Sequence, residues 1–438
     1  MKANIICLED LLDLDLHIPT YQRPYRWSAD SALTLFNDIY SSYEKQAEEY
    51  RIGTVILHQE NENLYIVDGQ QRITTLSILL YCFPENCRSE IKLSLLEATV
   101  SSLSYKAIEN NYKVLKEKLK YHISSEKLSG FLKYIIEKCT VVKIVVDKEQ
   151  EAFQFFDSQN SRGKELDPHD LLKSYHLREM VNETEDYKVS IIKKWEDLDQ
   201  KKLAYFFYHN LYPLVRWHKR ETGLYYSARN IKIFKGLKQN QNYNFTVYHK
   251  AANLYIEHFN DVNMYELTGN KKINQFQLIY PLIAGKRFFL YVLHYYNLSA
   301  EIEKKYLSDN KYTPSSGAGE IYVRNLFLNI LVFFVDRFGF ASLTDYRIDK
   351  FYKWCYSLRL VMHSVYPETV NKYAIGKHDR INLGKALFNQ VSEMQSPEEF
   401  DSIILDSIPS ENIKWRPEQD KMKEMKERCG VEQNGTAD

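Results

Sequence analysis

The chain has 438 residues, enough for about two or three domains with apolar cores. Its 58 Lys and Arg residues balance its 58 Asp and Glu residues, so overall charge gives no case for nucleic-acid binding, although a local basic face stays open. Its 6 cysteines contain no CxxC pair, which excludes a zinc ribbon or a disulfide framework. Because this usage is typical of a reducing compartment and acids come early in the chain, we expect a soluble cytoplasmic protein that contacts no membrane.

A short segment rich in arginine and aromatic residues follows the predicted opening strands. Residues 4–18 predict a strand, a polar turn and a second strand. Segment 18–27 carries arginine, glutamine and aromatic side chains, and its two prolines exclude a helix until Ser28, which is predicted to cap one. The segment is either a polar pocket wall or a rigid loop pinned in the core by Tyr25 and Trp27, and both interpretations can hold together.

The most informative stretch is Leu64–Leu80, which predicts a strand, a glycine turn and a buried helix. Residues 52–58 predict the strand that pairs with it in a hairpin. At the turn, backbone N–H groups and the helix dipole are suited to hold an anion, and Gly69 leaves room for a ligand. Arg72 offers a planar fork for phosphate oxygens, and Asp68 is suited to bind a metal ion or orient a water. The alternative is a strand-to-helix turn with a purely structural polar cap.

Helices and one strong strand are predicted next. Residues 89–138 have helical periodicity and are rich in Lys and Glu, which predicts helices inserted into or packed on the first domain. Residues 139–146 are almost all apolar and mostly β-branched, which predicts a central strand. A helix is expected over about 148–158.

A third polar cluster spans residues 157–173. Asp167 is predicted to cap a helix that begins at Pro168, and Lys173 is expected to lie in its first turns, on a surface that faces the preceding turn. His169 is a lone histidine, for which a structural or exposed position is the expectation. The turn itself is predicted to contain Asn160, Arg162, Gly163 and Lys164.

Strand patterns all but vanish beyond about residue 180. Helices are predicted over 244–260, 274–296, 299–307, 320–338, 348–362 and 384–391. The most apolar stretch, 321–340, is interrupted by polar residues, which favours a buried core helix over a membrane span. From 421 onward the chain is polar without an apolar face. We therefore expect a domain at 1–180 with a helical insertion at about 89–138, a mainly helical domain at 181–425 and a flexible tail at 426–438.

Common catalytic motifs are missing from the sequence. It has no GxxxxGK[ST] or GxGxxG loop, no HExxH zinc motif and no GxSxG elbow. The remaining candidates are the polar clusters at 21–27, 68–72 and 157–173. Clusters rich in Arg, Gln, Asn and Asp suit a phosphate-bearing ligand better than an acyl or glycosyl substrate.

Three motifs, in order, resemble those of one known family. The stretches Ile18–Trp27, Val67–Leu76 and Phe156–Leu166, the last with Asp170–Lys173, look like those of the GmrSD restriction endonuclease N-terminal domain family. The resemblance covers about the first 180 residues. It implies an α+β fold with a ParB/sulfiredoxin-like mixed sheet and packed helices, followed here by a largely α-helical C-terminal region. It also implies a role in defence against phage DNA.

The resemblance also assigns site residues. Its DGQQR motif is tied to nucleoside triphosphate binding and hydrolysis, which implies an NTP substrate and a Mg²⁺ ion bound by Asp68. Carried over by position, the catalytic residues are Asp68, Gln71 and Arg72. The nucleotide-binding residues are Tyr21, Gln22, Arg23, Gly69, Gln70, Asn160, Arg162 and Lys164.

Three functional hypotheses follow. The first is an NTP-binding or NTP-hydrolysing subunit of a bacterial anti-phage or restriction system, which gates a partner nuclease or effector. The second is a non-catalytic module that binds DNA or a partner protein, supported by the basic and aromatic segment 195–238 and its core, Arg216–Arg220. The third is a DNA endonuclease with an unrecognised site, because the His-rich HNH pattern of fused family members is missing from the C-terminal third.

Overall fold

A computed structural model describes residues 2–19, 25–61, 63–88, 91–97, 102–147, 167–180, 182–262, 272–308, 318–378, 385–415 and 419–431. The chain divides into two compact units, Met1–Leu166 and Asp167–Asp438, so the division comes before the helix that the sequence assigns to the first domain. The first unit contains a mixed sheet with packed helices and the second is largely helical. The predicted fold class is confirmed.

The first unit alternates short strands and helices. Its elements are β1 (Lys2–Cys7), α1 (Leu8–Leu12), β2 (Leu16–His17), α2 (Ala29–Glu44), β3 (Tyr50–Glu60), β4 (Asn63–Asp68), α3 (Gln70–Tyr81), α4 (Glu85–Arg88), α5 (Ser94–Glu97), α6 (Ser102–His122), α7 (Ser125–Lys138) and β5 (Cys139–Val146). The described strands form a sheet in the order β1-β5-β3-β4-β2. β1–β5 and β3–β4 pair antiparallel, whereas β3–β5 and β2–β4 pair parallel.

Most local predictions for this unit are confirmed. The hairpin β3–β4 and the interior strand β5 lie where the periodicity places them. Ser28 caps α2 by accepting a hydrogen bond from the Ser31 amide at 3.3 Å. The turn predicted after β1 is wrong, because residues 8–12 form α1 instead. Its leucines Leu8, Leu11 and Leu12 are buried, and that burial favours a helical turn over a polar loop.

Helix α3 lies inside the core of this unit. Every residue from Ile73 to Leu80 is buried, and the helix packs on the same sheet face as Val55, Leu57 and Ile66. Each buried Leu or Ile contributes roughly 1.5–3 kcal/mol. The position of α3, and of the turn at its N-terminus, is therefore fixed by the core rather than by the turn.

The second unit consists of helices joined by irregular connectors. They are α8 (Pro168–Arg178), α9 (Glu185–Glu196), α10 (Gln200–Phe206), α11 (Tyr212–Trp217), α12 (Lys232–Lys235), α13 (Asn244–Asp261), α14 (Lys286–Ile302), α15 (Ala318–Phe338), α16 (Asp345–Val361), α17 (Pro367–Ala374), α18 (Leu387–Glu393) and α19 (Gln419–Cys429). Single π-helical turns at 207–211 and 303–307 continue α10 and α14. Strand pairing in the described part of this unit is limited to the isolated bridges Leu237–Ile283 and Ile408–Val431.

The apolar stretch forms the buried helix α15, as predicted. Residues 326–335 within it are all buried, including Asn329. Across the described part of the chain, no helix combines the length and the apolar character that a membrane span requires.

Two expectations for this unit are wrong. The helix predicted over 274–296 begins only at Lys286, because Gly285 has φ +88° and Pro281 lacks an amide donor, so residues 272–285 form a connector. The segment beyond 421 does have an apolar face, since Met425 and Cys429 of α19 are buried. Part of the predicted tail therefore belongs to α19, and residues 432–438 lie outside the described residues. The helix predicted at 148–158, in the first unit, also lies outside the described residues.

Candidate functional site

The turn between β4 and α3, Asp68–Arg72, is hereafter the DGQQR turn. Gly69 has φ +97°, a left-handed conformation that favours glycine. A Cβ at this position would lie 3.1 Å from Val55 Cγ2. The first intrahelical hydrogen bond runs from the Ile73 amide to the Gly69 carbonyl at 3.0 Å. The amides that precede Ile73 therefore lie in the first turn of α3, at the positive end of the helix dipole.

Arg72 is held by the neighbouring strand. Its Nη2 donates to the Thr54 carbonyl at 2.9 Å and its Nη1 to the Ile52 carbonyl at 3.4 Å. The Asp68 carboxylate lies 3.6 Å from Nη2, an ion pair longer than an ordinary hydrogen bond. Both side chains are 26% exposed. The guanidinium group of Arg72 thus points toward β3, and its positive charge lies beside the DGQQR turn.

Gly53 makes room for this arginine. It has φ +135° and lies at a register shift in the pairing of β3 with β5. A Cβ at position 53 would lie 2.1 Å from Arg72 Nη1, so a side chain here would force the guanidinium to move. Sequence reasoning missed this residue. The available signal was a glycine inside a strand, which often marks a bulge or a close approach.

Gln71 ties the turn to the aromatic segment. Its Oε1 accepts a hydrogen bond from the Arg26 amide at 2.9 Å, and both Gln70 and Gln71 are buried. Gln71 was expected to be catalytic, but this contact is internal. It holds the chain at Arg26 beside the first turn of α3.

Tyr25 and Trp27 anchor the same segment, as the rigid-loop interpretation predicts. The Tyr25 hydroxyl lies 2.7 Å from Thr75 Oγ1 on α3 and accepts a hydrogen bond from Asn111 Nδ2 at 2.8 Å. Asn111 Nδ2 also donates to the Trp27 carbonyl at 2.8 Å. Burial raises the pKa of Tyr25, so its hydroxyl stays neutral. The segment that leads away from Tyr25 is thus fixed against α3.

Other predicted nucleotide-binding residues are not located. Tyr21, Gln22, Arg23, Asn160, Arg162 and Lys164 lie outside the described residues. The convergence of the three polar clusters therefore stays a prediction.

The described end of the third cluster differs from expectation. Helix α8 begins at Pro168 as predicted, but the Asp167 side chain makes no capping hydrogen bond. Lys173 is buried and pairs with Glu196 at 2.6 Å, whereas the turn that it was expected to face lies outside the described residues. His169 is buried with its ring stacked on that of Phe207, a structural position.

Carboxylates at two sites in the described residues are suited to bind a metal ion. Asp68 is the acid of the DGQQR turn. Among the described residues, Asp167, His169 and Asp170 also have ligand atoms within 4.8 Å of one another. Exposed acids often lie this close without an ion, so this second group is a weaker candidate.

The basic and aromatic segment Arg216–Arg220 has mainly internal contacts. Trp217 and His218 are buried, and Trp217 Nε1 donates to Asn371 Oδ1 at 3.0 Å. Burial lowers the pKa of His218 to about 4, so it is neutral at pH 7. Arg216 pairs with Glu221 at 3.0 Å, and Arg220 Nε donates to the Ile375 carbonyl at 3.2 Å. These contacts give no specific support to the DNA-binding hypothesis.

Comparison with known proteins divides the chain at nearly the same place as the structure. Residues 8–177 match the family model described as GmrSD restriction endonuclease, N-terminal domain. Residues 187–420 match the model described as family of unknown function (DUF7834). No curated protein sequence matches the chain. The DGQQR turn and Gly53 lie within the first match, and neither matched model describes an HNH nuclease.

Proposed function

Because the chain belongs to the DUF7834 family and carries a GmrSD restriction endonuclease N-terminal domain, we propose that it is a nucleotide-dependent component of a bacterial restriction or anti-phage system. Its activity is the binding and hydrolysis of a nucleoside triphosphate. The observation that carries this proposal is the DGQQR turn, where the N-terminal amides of α3 lie beside Asp68 and beside an Arg72 guanidinium held by two backbone carbonyls.

The N-terminus of α3 supplies the phosphate contacts. The amides of Gln70, Gln71 and Arg72 point out of the helix end, where the dipole is positive. No acidic residue lies in the first helical turn to oppose an anion. Gly69 carries no Cβ, so a phosphate can approach the backbone closely.

Arg72 supplies a fixed positive charge. Its contacts with the Ile52 and Thr54 carbonyls hold the guanidinium before any ligand arrives. A charge that needs no reorganisation stabilises the developing negative charge of phosphoryl transfer more than a mobile one does. Arg72 is therefore assigned an electrostatic role, and Gln71 a positioning role through Arg26.

Asp68 fits the ion that accompanies a triphosphate. Mg²⁺ is commonly held by one or two carboxylates together with phosphate oxygens. Asp68 provides one carboxylate that is partly exposed and lies at the phosphate end of the turn. When bound there, the ion neutralises charge on the phosphates.

Nucleotide hydrolysis in this chain would gate a partner nuclease or effector. Support comes from the name of the N-terminal family, which includes a restriction endonuclease. The identity of such a partner is a separate question from the hydrolysis itself.

The test is phosphate release from each of the four common ribonucleoside triphosphates with Mg²⁺. Asp68→Asn and Arg72→Gln remove one charge each from the pair, and we expect each to lower the rate at least about tenfold. The matched controls are Glu109→Gln and Lys113→Gln, since Glu109 and Lys113 form an exposed pair at the same i,i+4 spacing in the same unit, 2.7 Å apart.

The controls should hydrolyse at the wild-type rate. If Asp68→Asn and Arg72→Gln also do so, the proposal is wrong. Thermal melting of each variant separates loss of the site from loss of the fold.

A further inference from the structure

The connector 272–285 is fixed at several points. The Asn260 side chain pairs with the Ile273 backbone twice, accepting from its amide and donating to its carbonyl, both at 2.9 Å. The Leu278 amide donates to Asp336 Oδ2 at 2.9 Å. The Leu237 amide donates to the Leu282 carbonyl at 2.8 Å, and the Ala284 amide donates to the Leu237 carbonyl at 2.9 Å. The connector is therefore a defined wall of the second unit.

Two cavities lie against this connector. The larger has a volume of about 450 Å³ and lies between the connector, α14 and α15. The smaller has a volume of about 220 Å³ and lies between the connector, α13 and α14. Gln275 and Phe276 line both. The larger volume is in the range of small-molecule sites, roughly 300–1,000 Å³.

Polar atoms at the cavities are buried without a partner. Among the described residues, Gln275 Nε2 and His294 Nε2 are both shielded from solvent and make no hydrogen bond. A buried polar group left in this state costs about 1–3 kcal/mol. Gln275 Nε2 is a donor, and a neutral imidazole Nε2 is a donor or an acceptor according to its tautomer. Burial lowers the pKa of His294, so its ring is neutral at pH 7.

The aromatic part of the lining favours a flat ligand. Phe276 contributes an aromatic ring, 5.8 Å from that of His294 and 5.8 Å from that of Tyr291, centre to centre. Arg287 lines the smaller cavity, but it already pairs with Glu257 at 2.7 Å. Its Nη1 also donates a hydrogen bond to Asn253 Oδ1 at 3.3 Å. Because Arg287 is already paired, a phosphate group has little to bind in the smaller cavity. The larger cavity is lined by one residue of each charge, Lys272 and Asp336, which gives it no excess of positive charge for a phosphate.

A planar ring with hydrogen-bond donors and acceptors on its edge satisfies all these features. Aromatic side chains stack on the faces of such rings, and amide and imidazole groups bind their edges. We propose that the cavities beside the connector bind a purine or pyrimidine base, with Gln275 and His294 at its edge and Phe276 against its face. This site goes beyond the proposed nucleotide hydrolysis and does not depend on it, since a base carries no phosphate.

The base has two possible sources, and one experiment separates them. The full-length protein is titrated calorimetrically with adenosine, guanosine, cytidine and thymidine, and with single-stranded DNA oligonucleotides of mixed sequence. An oligonucleotide with the same backbone but abasic sites is the third arm. Binding of a nucleoside identifies a free ligand. Binding of the normal but not the abasic oligonucleotide identifies a base presented by nucleic acid.

Substitutions of the lining residues test whether the ligand binds in the cavities. Gln275→Leu removes the amide donor at similar volume, and His294→Phe keeps a flat ring without nitrogen. We expect each to weaken binding at least about tenfold, the equivalent of one hydrogen bond to a buried group. Gln390→Leu is the matched control, because Gln390 is a half-buried glutamine of the same unit on α18, away from both cavities.

We expect Gln390→Leu to bind like wild type. We expect Gln275→Leu and His294→Phe, each shown to be folded, to lose binding. The proposal is overturned if no nucleoside or oligonucleotide binds. It is also overturned if binding is the same in wild type, Gln275→Leu and His294→Phe, or if the abasic oligonucleotide binds as well as the normal one and no nucleoside binds.

Discussion

The DGQQR turn and the segment Arg216–Arg220 are both short, charged stretches at helix ends, but the first lies at the N-terminus of α3 and the second at the C-terminus of α11. Asp68 and Arg72 stay a quarter exposed at a helix N-terminus. In Arg216–Arg220, Trp217 and His218 are buried. The segment's arginines bind a neighbouring carboxylate and carbonyl groups.

The difference teaches that residue type alone does not identify a binding site. Both stretches have the composition expected of an anion or nucleic-acid contact. What separates them is backbone geometry, because Gly69 in a left-handed conformation begins α3, so the DGQQR turn lies at the positive end of a helix dipole. The segment Arg216–Arg220 instead begins in the last turn of α11, and its buried side chains Trp217 and His218 serve the packing of the unit.

The largest expected effect is on stability, from Trp217→Ala. The variant removes a buried ring and its hydrogen bond to Asn371, which should lower the free energy of unfolding by about 3–5 kcal/mol. Urea denaturation measures this change. Phosphate release per folded molecule should stay at the wild-type value. Unchanged stability together with lost DNA binding would instead make this segment a binding surface and break the comparison.

The next effect is on activity, from Gly53→Ala. The added Cβ displaces the Arg72 guanidinium, and a catalytic charge misplaced by about 1 Å costs on the order of a hundredfold in rate. Phosphate release with Mg²⁺ measures the loss. Gly339→Ala is the control, because Gly339 also has a positive φ but a Cβ there meets nothing within 4 Å. Wild-type hydrolysis by Gly53→Ala would show that the position of Arg72 does not matter.

A pH-dependent effect is expected from Asp336→Asn. Burial raises the pKa of Asp336 to about 7, so the folded protein keeps a proton that the unfolded chain releases at lower pH. The stability that this proton contributes is fully present below about pH 4 and is lost as the pH rises through about 7. From about pH 5 to about pH 8, the free energy of unfolding of wild type should fall by about 2 kcal/mol more than that of the variant.

Urea denaturation at several pH values tests this prediction. Parallel pH profiles for wild type and Asp336→Asn would contradict it. Profiles that differ in this way would extend the comparison, because another ionisable residue of the helical unit would lie in the interior.

The smallest effect is expected from Arg216→Gln. Its pair with Glu221 is partly exposed, and such pairs contribute about 0–1 kcal/mol. The salt dependence of any DNA binding should also stay unchanged, because this arginine contacts its own chain. A lower slope of log affinity against log salt concentration would show a phosphate contact and restore the DNA-binding hypothesis for this segment.

The sequence predicts the local parts of the site well. Apolar runs rich in β-branched residues identify β4 and β5, and the apolar spacing after Gly69 identifies α3. The contact between Gly53 and Arg72 is not predictable in this way, because it joins residues brought together only by the pairing of β3 with its neighbours.

The helical unit shows the same limit. Residues 274–285 have helical periodicity, but their backbone is committed to Asp336 and Leu237. In α19 the apolar face consists of Met425 and Cys429, too few residues for a periodicity to be recognised. Tertiary contacts decided both cases.

The most direct test of the central claim is a crystal structure of the full-length protein with a non-hydrolysable triphosphate and Mg²⁺. The account predicts phosphate density at the amides of Gln70, Gln71 and Arg72, with the ion next to Asp68. Phosphates bound elsewhere in the protein, with the DGQQR turn empty, would contradict it.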